Sequence, residues 1–490
     1  MTSTSNQKKR IILLMIDTFM DSALQAALKA GRAPALKFLM ENGRYFSDVV
    51  SPFPTMSVTV DSTLLMGVNS DKHKIPGLVW YNQHEKRLIN YGSHIRELYK
   101  LGLKQSTEDI FYNLNHEHLS KQYKTIHEIL HEKGIQTASI NALLYRGNTP
   151  SFLKIPFLLS MFSGLNSQMK SYSPDFFSYG LMHKLNPLKK YSFFWKKYGF
   201  NDKFSRNELT YLINKNKLPP FSIVYFPDLD QSVHKNGRED VTGIEKVDQQ
   251  LQKILNQYPS WEVALTDNIW ILLGDNGQAW IKNDRKKALI DLKKILCNFN
   301  IVKLKKGVTS QDEIVLGVNE RMAFIYSLDV KKVPLEKLAS PLEKDDRIDI
   351  IARKKEKTVT VTSGLHSGHL HFYPGSDFTD EYGQSWSIDG NKEILNIEIK
   401  DNKIIYGDYP DALARLYTSL FSHKGEYMIV SARPGYEFIG EGSPTHVGGA
   451  SHGGLHRQDS LVSMIICGTD SSPNYLRLID MKDWLLTLIT

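Results

Sequence analysis

The sequence predicts an α/β protein built on a doubly wound, mostly parallel sheet, with a cap and a β-rich insertion added to it. Three observations predict this. Three apolar runs of strand length end in acidic residues, the first of them passes directly into a helical pattern, and a long stretch beyond them switches to period two.

Ile11-Ile-Leu-Leu-Met-Ile16 is continuously apolar, as a parallel strand buried on both faces requires. It ends at Asp17, and SALQAALKAGRAPALKFLMENG after it reads as helical. Strand, Asp, helix is the opening of a doubly wound sheet, in which ligands gather at the carboxyl ends of strands. Phe221–Phe226 repeats the pattern and runs into Pro227-Asp-Leu-Asp230. Ile269–Leu273 runs into Gly274-Asp-Asn-Gly277, and Leu461–Ile466 follows a loop rich in Gly and His. A single Asp after a strand is commonly a helix N-cap. Acidic residues at three strand ends favour a site.

Between these segments the character changes. Ser151–Arg206 is rich in aromatics, and Lys184–Arg206 holds seven Lys/Arg, one Asp and seven aromatic residues. One reading is a cap with inward aromatics and solvated charges; a sharper one is a cationic lid over an anionic substrate. From about 285 to 400 the pattern alternates in period two, with turn signals such as Asp389-Gly390. The division expected is a hydrolase core over 10–300 and 405–490, an aromatic and basic cap over 150–215, and a β-rich insertion over 300–404.

The chain has 490 residues, 41% hydrophobic and 23% charged, which excludes a disordered, collagen-like or coiled-coil protein. The surplus of Lys and Arg over Asp and Glu is 61 − 53, or +8. Spread over this length it suggests acidic ligands but does not identify a nucleic-acid binder, and no nucleic-acid partner is predicted. Cys297 and Cys467 form no CxxC pair, so neither a disulfide framework nor a cysteine zinc site is expected. No stretch approaches 18 apolar residues, so no transmembrane segment is expected. The run Ile11–Ile16 is too short for a signal-peptide core, which makes a cytoplasmic location the default.

The residues that carry chemistry are Asp17, the turn Pro54-Thr-Met-Ser57, Asp230 with His234, Asp275 with Asn276, and the loop Thr445–His456. In this order they resemble the alkaline phosphatase superfamily, most closely its type I phosphodiesterases and nucleotide pyrophosphatases. Four blocks carry the resemblance: MIDTF, FPTMSVTVDSTLLMGV, PDLDQSVHKNG and SHGGLHRQDS. The second is similar to the family's Pro-Thr-Lys-Thr nucleophile turn and helix, and the third to its Asp-x-x-x-His pair. Residues 83–215 and 285–430 contribute little to it.

The resemblance implies two divalent metal ions, usually zinc, on the carboxyl edge of the sheet. One would take Asp230, His234 and His452. The other would take Asp17, Asp275 and position 276. It implies Ser57 as nucleophile, with Thr55 the alternative and Thr59 a neighbour open to confusion with it. Read simply as residues, these hydroxyls could only cap a helix. His456 could contact a phosphoryl oxygen, and His446 or His456 could replace His452 as ligand. The charge count agrees independently: three Asp and a Ser57 alkoxide give four negative charges, which two dications balance. Without metal, converging carboxylates would repel one another.

The family usually has Asp-His where this chain has Asp275-Asn276. An Asn oxygen is a harder, weaker ligand, better suited to Mn²⁺ or Mg²⁺ than to zinc. Asp-Asn-Gly also resembles sulfatases, whose Cys/Ser-x-Pro-x-Arg turn is absent from 50–60. His366, His369 and His371 form H-x-x-H-x-H, either a third metal site or a solvated hairpin rim, and His73 reads as structural. The function expected is metal-dependent hydrolysis of phosphodiester or pyrophosphate bonds in a small phosphorylated substrate, through a phosphoryl-serine intermediate. Rivals are a phosphomonoesterase, sulfatase or phosphotransferase on the same scaffold, or a non-hydrolytic binding protein.

Overall fold

A computed structural model describes residues 8–157, 160–161, 164–187 and 197–490. Its central sheet has seven strands: β1 (Arg10–Ile16), β2 (Gly43–Val50), β3 (Thr137–Ile140), β4 (Phe176–Ser178), β5 (Phe221–Phe226), β6 (Asn268–Gly274) and β7 (Leu461–Cys467). Their order across the sheet is β2-β7-β6-β1-β5-β3-β4. Only β7 runs against the rest, pairing antiparallel with both β6 and β2. The doubly wound, mostly parallel sheet expected from the sequence is therefore present.

Alternation along β1 explains why its run is apolar without a break. Ile11, Leu13 and Met15 face one core with Val58, Leu64 and Leu65 of the helix Ser57–Met66. Ile12, Leu14 and Ile16 face the other with Ala23, Leu36 and Leu251 of three helices on the opposite side. A polar residue at any of these six positions would lose its water on one face or the other. Truncating one, as in Leu13→Ala, should cost about 2–5 kcal/mol.

The helical stretch after Asp17 is two helices rather than one, Asp21–Lys29 and Pro34–Glu41. Gly31 breaks it with φ +67°, a conformation cheap only for glycine, and Pro34 starts the second helix where its missing N–H costs nothing.

A second, largely antiparallel sheet of nine strands runs from Ile314 to Ala432. Its strand Glu426–Ala432, from the stretch assigned above to the core, lies between Met322–Ser327 and Ile348–Lys355. One face joins the core of the first sheet through Phe324, Tyr326 and Ile429. The other packs on the helix Leu335–Leu342. Within 150–215, β4 is the edge of the central sheet and the helix Asp202–Asn214 contributes Leu209 and Leu212 to its core. Residues 188–196, in the middle of the basic and aromatic run, lie outside the described residues. No helix among the described residues is long and apolar enough to cross a membrane.

Candidate active site

β6, β1 and β5 are neighbours, and their register pairs Ile16 with both Gly274 and Phe226. The residues that follow, Asp275, Asp17 and Pro227–Asp230, therefore leave the sheet side by side at its carboxyl edge. The helix Asp228–Asn236 puts Asp230 and His234 four residues apart on one face. His452 arrives from the far end of the chain, just after the strand Ala450–Ser451.

On one side of the site the charges are mixed. Asp230 Oδ1 lies 3.1 Å from His234 Nε2 and 3.7 Å from His452 Nε2. His234 Nδ1 donates to the Ala450 carbonyl at 2.7 Å, and His452 Nδ1 to the Thr55 carbonyl at 2.7 Å. A carbonyl can only accept, so each Nδ1 carries a proton and each Nε2 is left for the site. Ligand atoms of Asp230, His234 and His452 lie within 4.8 Å of one another, as do those of His234, Glu320 and His446. Burial disfavours charge on Asp230 and Glu320, but imidazoles overcome it, His234 foremost for Asp230 and His452 for Glu320. Both carboxyls stay below their usual range, Glu320 at about 2. His234 rises despite burial because Asp230 and Glu320 flank it.

On the other side the charges are of one sign. Asp17 Oδ2 accepts from the Tyr225 hydroxyl at 2.6 Å. Asp275 Oδ1 accepts from the Thr18 and Asn276 N–H groups at 3.0 and 2.7 Å. Burial, and then the charges of Asp275 and Asp230, push the Asp17 carboxyl well up. Burial also raises Asp275, against the Thr18 N–H and the Ser57 hydroxyl, which favour its charge. Asn276 accepts from Thr18 Oγ1 at 3.1 Å and turns its amide N–H toward Asp17 at 3.4 Å.

Ser57 opens the helix Ser57–Met66. It lines a cavity of about 770 Å³ together with Asp17, Asp230, His234 and His452. Thr55 is fully buried, and its Oγ1 accepts from Gly453 N at 2.8 Å. Thr59 is buried as well. Gly453 has φ +101°, and a Cβ there would stand 2.5 Å from the Asn319 carbonyl and 2.6 Å from Met56. Only glycine lets the His452 loop lie so close to Met56 in the Pro54–Ser57 turn.

Several expected residues fall elsewhere. His456 caps the short helix Arg457–Ser460, its Nδ1 accepting from Gln458 N at 3.1 Å, and burial among its neighbours lowers it to about 4. It does not line the cavity, whereas His446 does. The rings of His369 and His371 lie 4.4 Å apart at a tilt of 47°, His371 on the strand Leu370–Asp380 of the second sheet, but among the described residues they join no group of three metal-ligating side chains. His73 is buried, 3.1 Å from Thr63 Oγ1, and ties the Ser57 helix to the turn after it.

Sequence reasoning missed Glu320, Thr18, Tyr225 and Gln278. Glu320 sits with φ +56° in the turn between the strands Ile314–Asn319 and Met322–Ser327. The fully buried Arg321 next to it is fixed by Asp459 at 2.8 Å and by the carbonyls of Ala432, Arg433 and Tyr436. Two charged residues between apolar strands were the only available signal. Gln278 Nε2 donates to Asp230 Oδ1 at 2.6 Å and to Thr18 Oγ1 at 3.1 Å, fixing both.

Carboxylates and imidazoles at the ends of parallel strands, facing a hydroxyl at a helix N-terminus, define a hydrolase built on the alkaline phosphatase scaffold. The comparisons narrow the class. The family model for type I phosphodiesterase / nucleotide pyrophosphatase matches residues 11–454, and the chain belongs to that family of hydrolases. A search of the curated proteins finds no match. Among solved structures, murine ectonucleotide pyrophosphatase/phosphodiesterase 5 is similar at 12% identity and a TM-score of 0.58, over 98% of this chain and 95% of that one. An inactive form of the same murine protein, in complex with AMP, matches to the same extent. Phosphonoacetate hydrolase from Sinorhizobium meliloti 1021, in complex with phosphonoformate, is similar at 13% identity and a TM-score of 0.56, over 99% and 96%.

Proposed function

We propose that this enzyme cleaves phosphodiester or pyrophosphate bonds of a small phosphorylated substrate through a phosphoryl-Ser57 intermediate, in a site that holds two divalent cations. The observation that carries the reading is the placement of Ser57 in one cavity with Asp17, Asp230, His234 and His452. The donor set fits metal. Asp230, His234 and His452 converge with both Nε2 atoms free of backbone partners, and Asp17 and Asp275 stand as neighbouring buried carboxyls, both raised by burial, with Asp17 raised further by the charges of Asp275 and Asp230. Asp230, His234 and His452 suit zinc; Asp17, Asp275 and Asn276 suit Mn²⁺ or Mg²⁺ as well as zinc. The ions would supply Lewis acidity toward the phosphoryl oxygens.

The chain's own residues account for the remaining steps. Lys235 is the sole Lys or Arg lining the cavity among the described residues, and it draws in an anionic ester. N–H groups of the first turn of the Ser57–Met66 helix hold phosphoryl oxygens. Ser57 Oγ then attacks phosphorus and the ester oxygen departs. Water hydrolyses the phosphoserine and frees Ser57.

The test is turnover of bis-p-nitrophenyl phosphate, thymidine p-nitrophenyl phosphate, p-nitrophenyl phosphate and p-nitrophenyl sulfate, with zinc, Mn²⁺ or Mg²⁺ and after chelation. Diester cleavage that needs metal supports the reading. Preference for the monoester or the sulfate, or equal rates in chelator, would overturn it.

A further inference from the structure

The hairpin formed by Thr149–Lys154 and Gln168–Ser173 has two unlike faces. Leu153 and the adjoining Ile155 turn inward onto Tyr145, Phe177 and Tyr179. Outward, Phe152 stands opposite Lys170, Pro150 opposite Tyr172 and Lys154 opposite Gln168, and all six are exposed. Phe152 is 53% exposed and Tyr172 41%; beyond the strands, Phe157 is 78% and Met161 54% exposed. These are four of the large apolar side chains the described surface leaves most open, gathered within 21 residues, whereas the others are scattered. From Thr149 to Ser173 the sequence contains no Asp or Glu. Lys170 Nζ lies 5.4 Å from the Tyr172 ring centre and Phe152 stands opposite Lys170, so these three share one face, while Ile155 N donating to the Ser167 carbonyl puts Phe157 and Met161 in the connection at the end of the hairpin.

We propose that this outer face docks the enzyme on an anionic lipid surface, with Phe157 and Met161 entering the acyl boundary and Lys154 and Lys170 meeting the headgroups. Exposed aromatic and long apolar side chains bordered by lysine match an interface that is apolar within and negative at its edge. A second copy of the chain fits worse, because a two-fold contact would set Lys154 and Lys170 of one copy against the same lysines of the other. The inner face of the hairpin leads to the cavity: Tyr179, in its core, packs at 4.8 Å on Phe200, which lines the cavity beside Leu143. Docking would therefore hold the cavity close to the lipid surface, where amphiphilic phosphate esters are presented.

The full chain is mixed with vesicles of phosphatidylcholine alone, or with added phosphatidylglycerol, and the bound fraction is read by sedimentation. Binding is expected to the mixed vesicles and to weaken with salt. Phe157→Asp with Met161→Asp should lower the partition by about tenfold or more. Lys154→Glu with Lys170→Glu should remove the preference for anionic lipid. A Phe157→Trp chain should be quenched by brominated phospholipid more strongly than the parent. All these side chains are exposed, so circular dichroism and turnover of a soluble p-nitrophenyl diester check fold and active site separately. Vesicle binding that neither pair of substitutions alters would overturn the proposal. So would absence of binding, or a concentration-dependent dimer that the same substitutions abolish.

Discussion

The two halves of the candidate site solve the problem of buried charge in opposite ways. Around Asp230, three imidazoles and two carboxylates neutralise one another, so that Asp230 and Glu320 hold their charge even in a buried place. Around Asp17 the neighbouring charges, Asp275 and Asp230, are both negative; hydrogen bonds from Tyr225, Thr18 and Asn276 help, and His452 favours the charge of Asp275, but the Asp17 carboxyl is still pushed up. The first half is formed in advance of any ion. The second keeps two buried carboxyls side by side, an arrangement that a dication would stabilise under the proposed function. Asn276 sharpens the contrast, because it brings a neutral amide to the side where the two carboxyls stand together.

The largest effect should come from the group that both halves serve. Ser57→Ala should lower diester turnover by at least about 10³-fold while leaving metal content unchanged, measured by initial rates and elemental analysis on one preparation. Activity within about tenfold of the parent, roughly 1.4 kcal/mol of barrier, would mean direct attack by water. The next effect separates the halves. His452→Ala or Asp230→Ala should remove one equivalent of tightly held metal and leave the other, because among the described residues Asp17 and Asp275 stand outside both groups of converging ligand atoms. Unchanged metal content in both variants would show that the mixed-charge half is not a metal seat.

How much of this was legible in the sequence follows the same division. Asp17, Asp230 and Asp275 could be found because each ends a recognisable apolar strand, and Asp230 with His234 because the helical repeat puts them on one face. His452 needed its Gly-Gly neighbours, and Gly453 proves to be required by a close backbone approach. Glu320 could not be found. It belongs to a hairpin of the second sheet, brought to the cavity by contacts distant in sequence, and the charged pair Glu320-Arg321 that marks the turn does not say that it faces a site. Tyr225 was hidden inside an apolar strand, where its hydroxyl is lost among hydrophobic neighbours. His456 shows the reverse error: a histidine in a motif-like loop whose imidazole serves its own helix as a cap.

A third substitution tests whether Asn276 weakens its side. Asn276→His should tighten zinc at the Asp17 and Asp275 half by at least about tenfold, since imidazole is the better zinc ligand. It should also reduce the gain in rate from added Mn²⁺. Competition with a zinc chelator gives the affinity. Equal affinities would show that position 276 only orients Asp17, in keeping with its amide N–H lying 3.4 Å from that carboxylate.

The smallest effect is the most direct reading of the imbalance, because it needs no turnover. In chelator, Asp17 is a buried carboxyl whose pKa in the folded chain lies above its unfolded value of about 3.9. The folded state then binds more protons than the unfolded one between those two values. Stability must therefore fall as pH rises from about 4 through the folded pKa, and stay low above it. Asp230 and Glu320 act with the opposite sign, losing stability as pH falls through their depressed values, so the total pH profile mixes the two halves. Comparing Asp17→Asn with the parent isolates the first. Without metal the variant should be the more stable at pH 8, by about 1.4 kcal/mol for each pKa unit of the displacement, and the advantage should vanish near pH 4. With metal restored the order should reverse, because the variant has lost a charged ligand. Urea unfolding at several pH values, with and without chelator, measures both. If Asp17→Asn destabilises the metal-free chain at pH 8, the Asp17 carboxylate is adequately neutralised by Tyr225 and its neighbours, and the contrast between the two halves collapses.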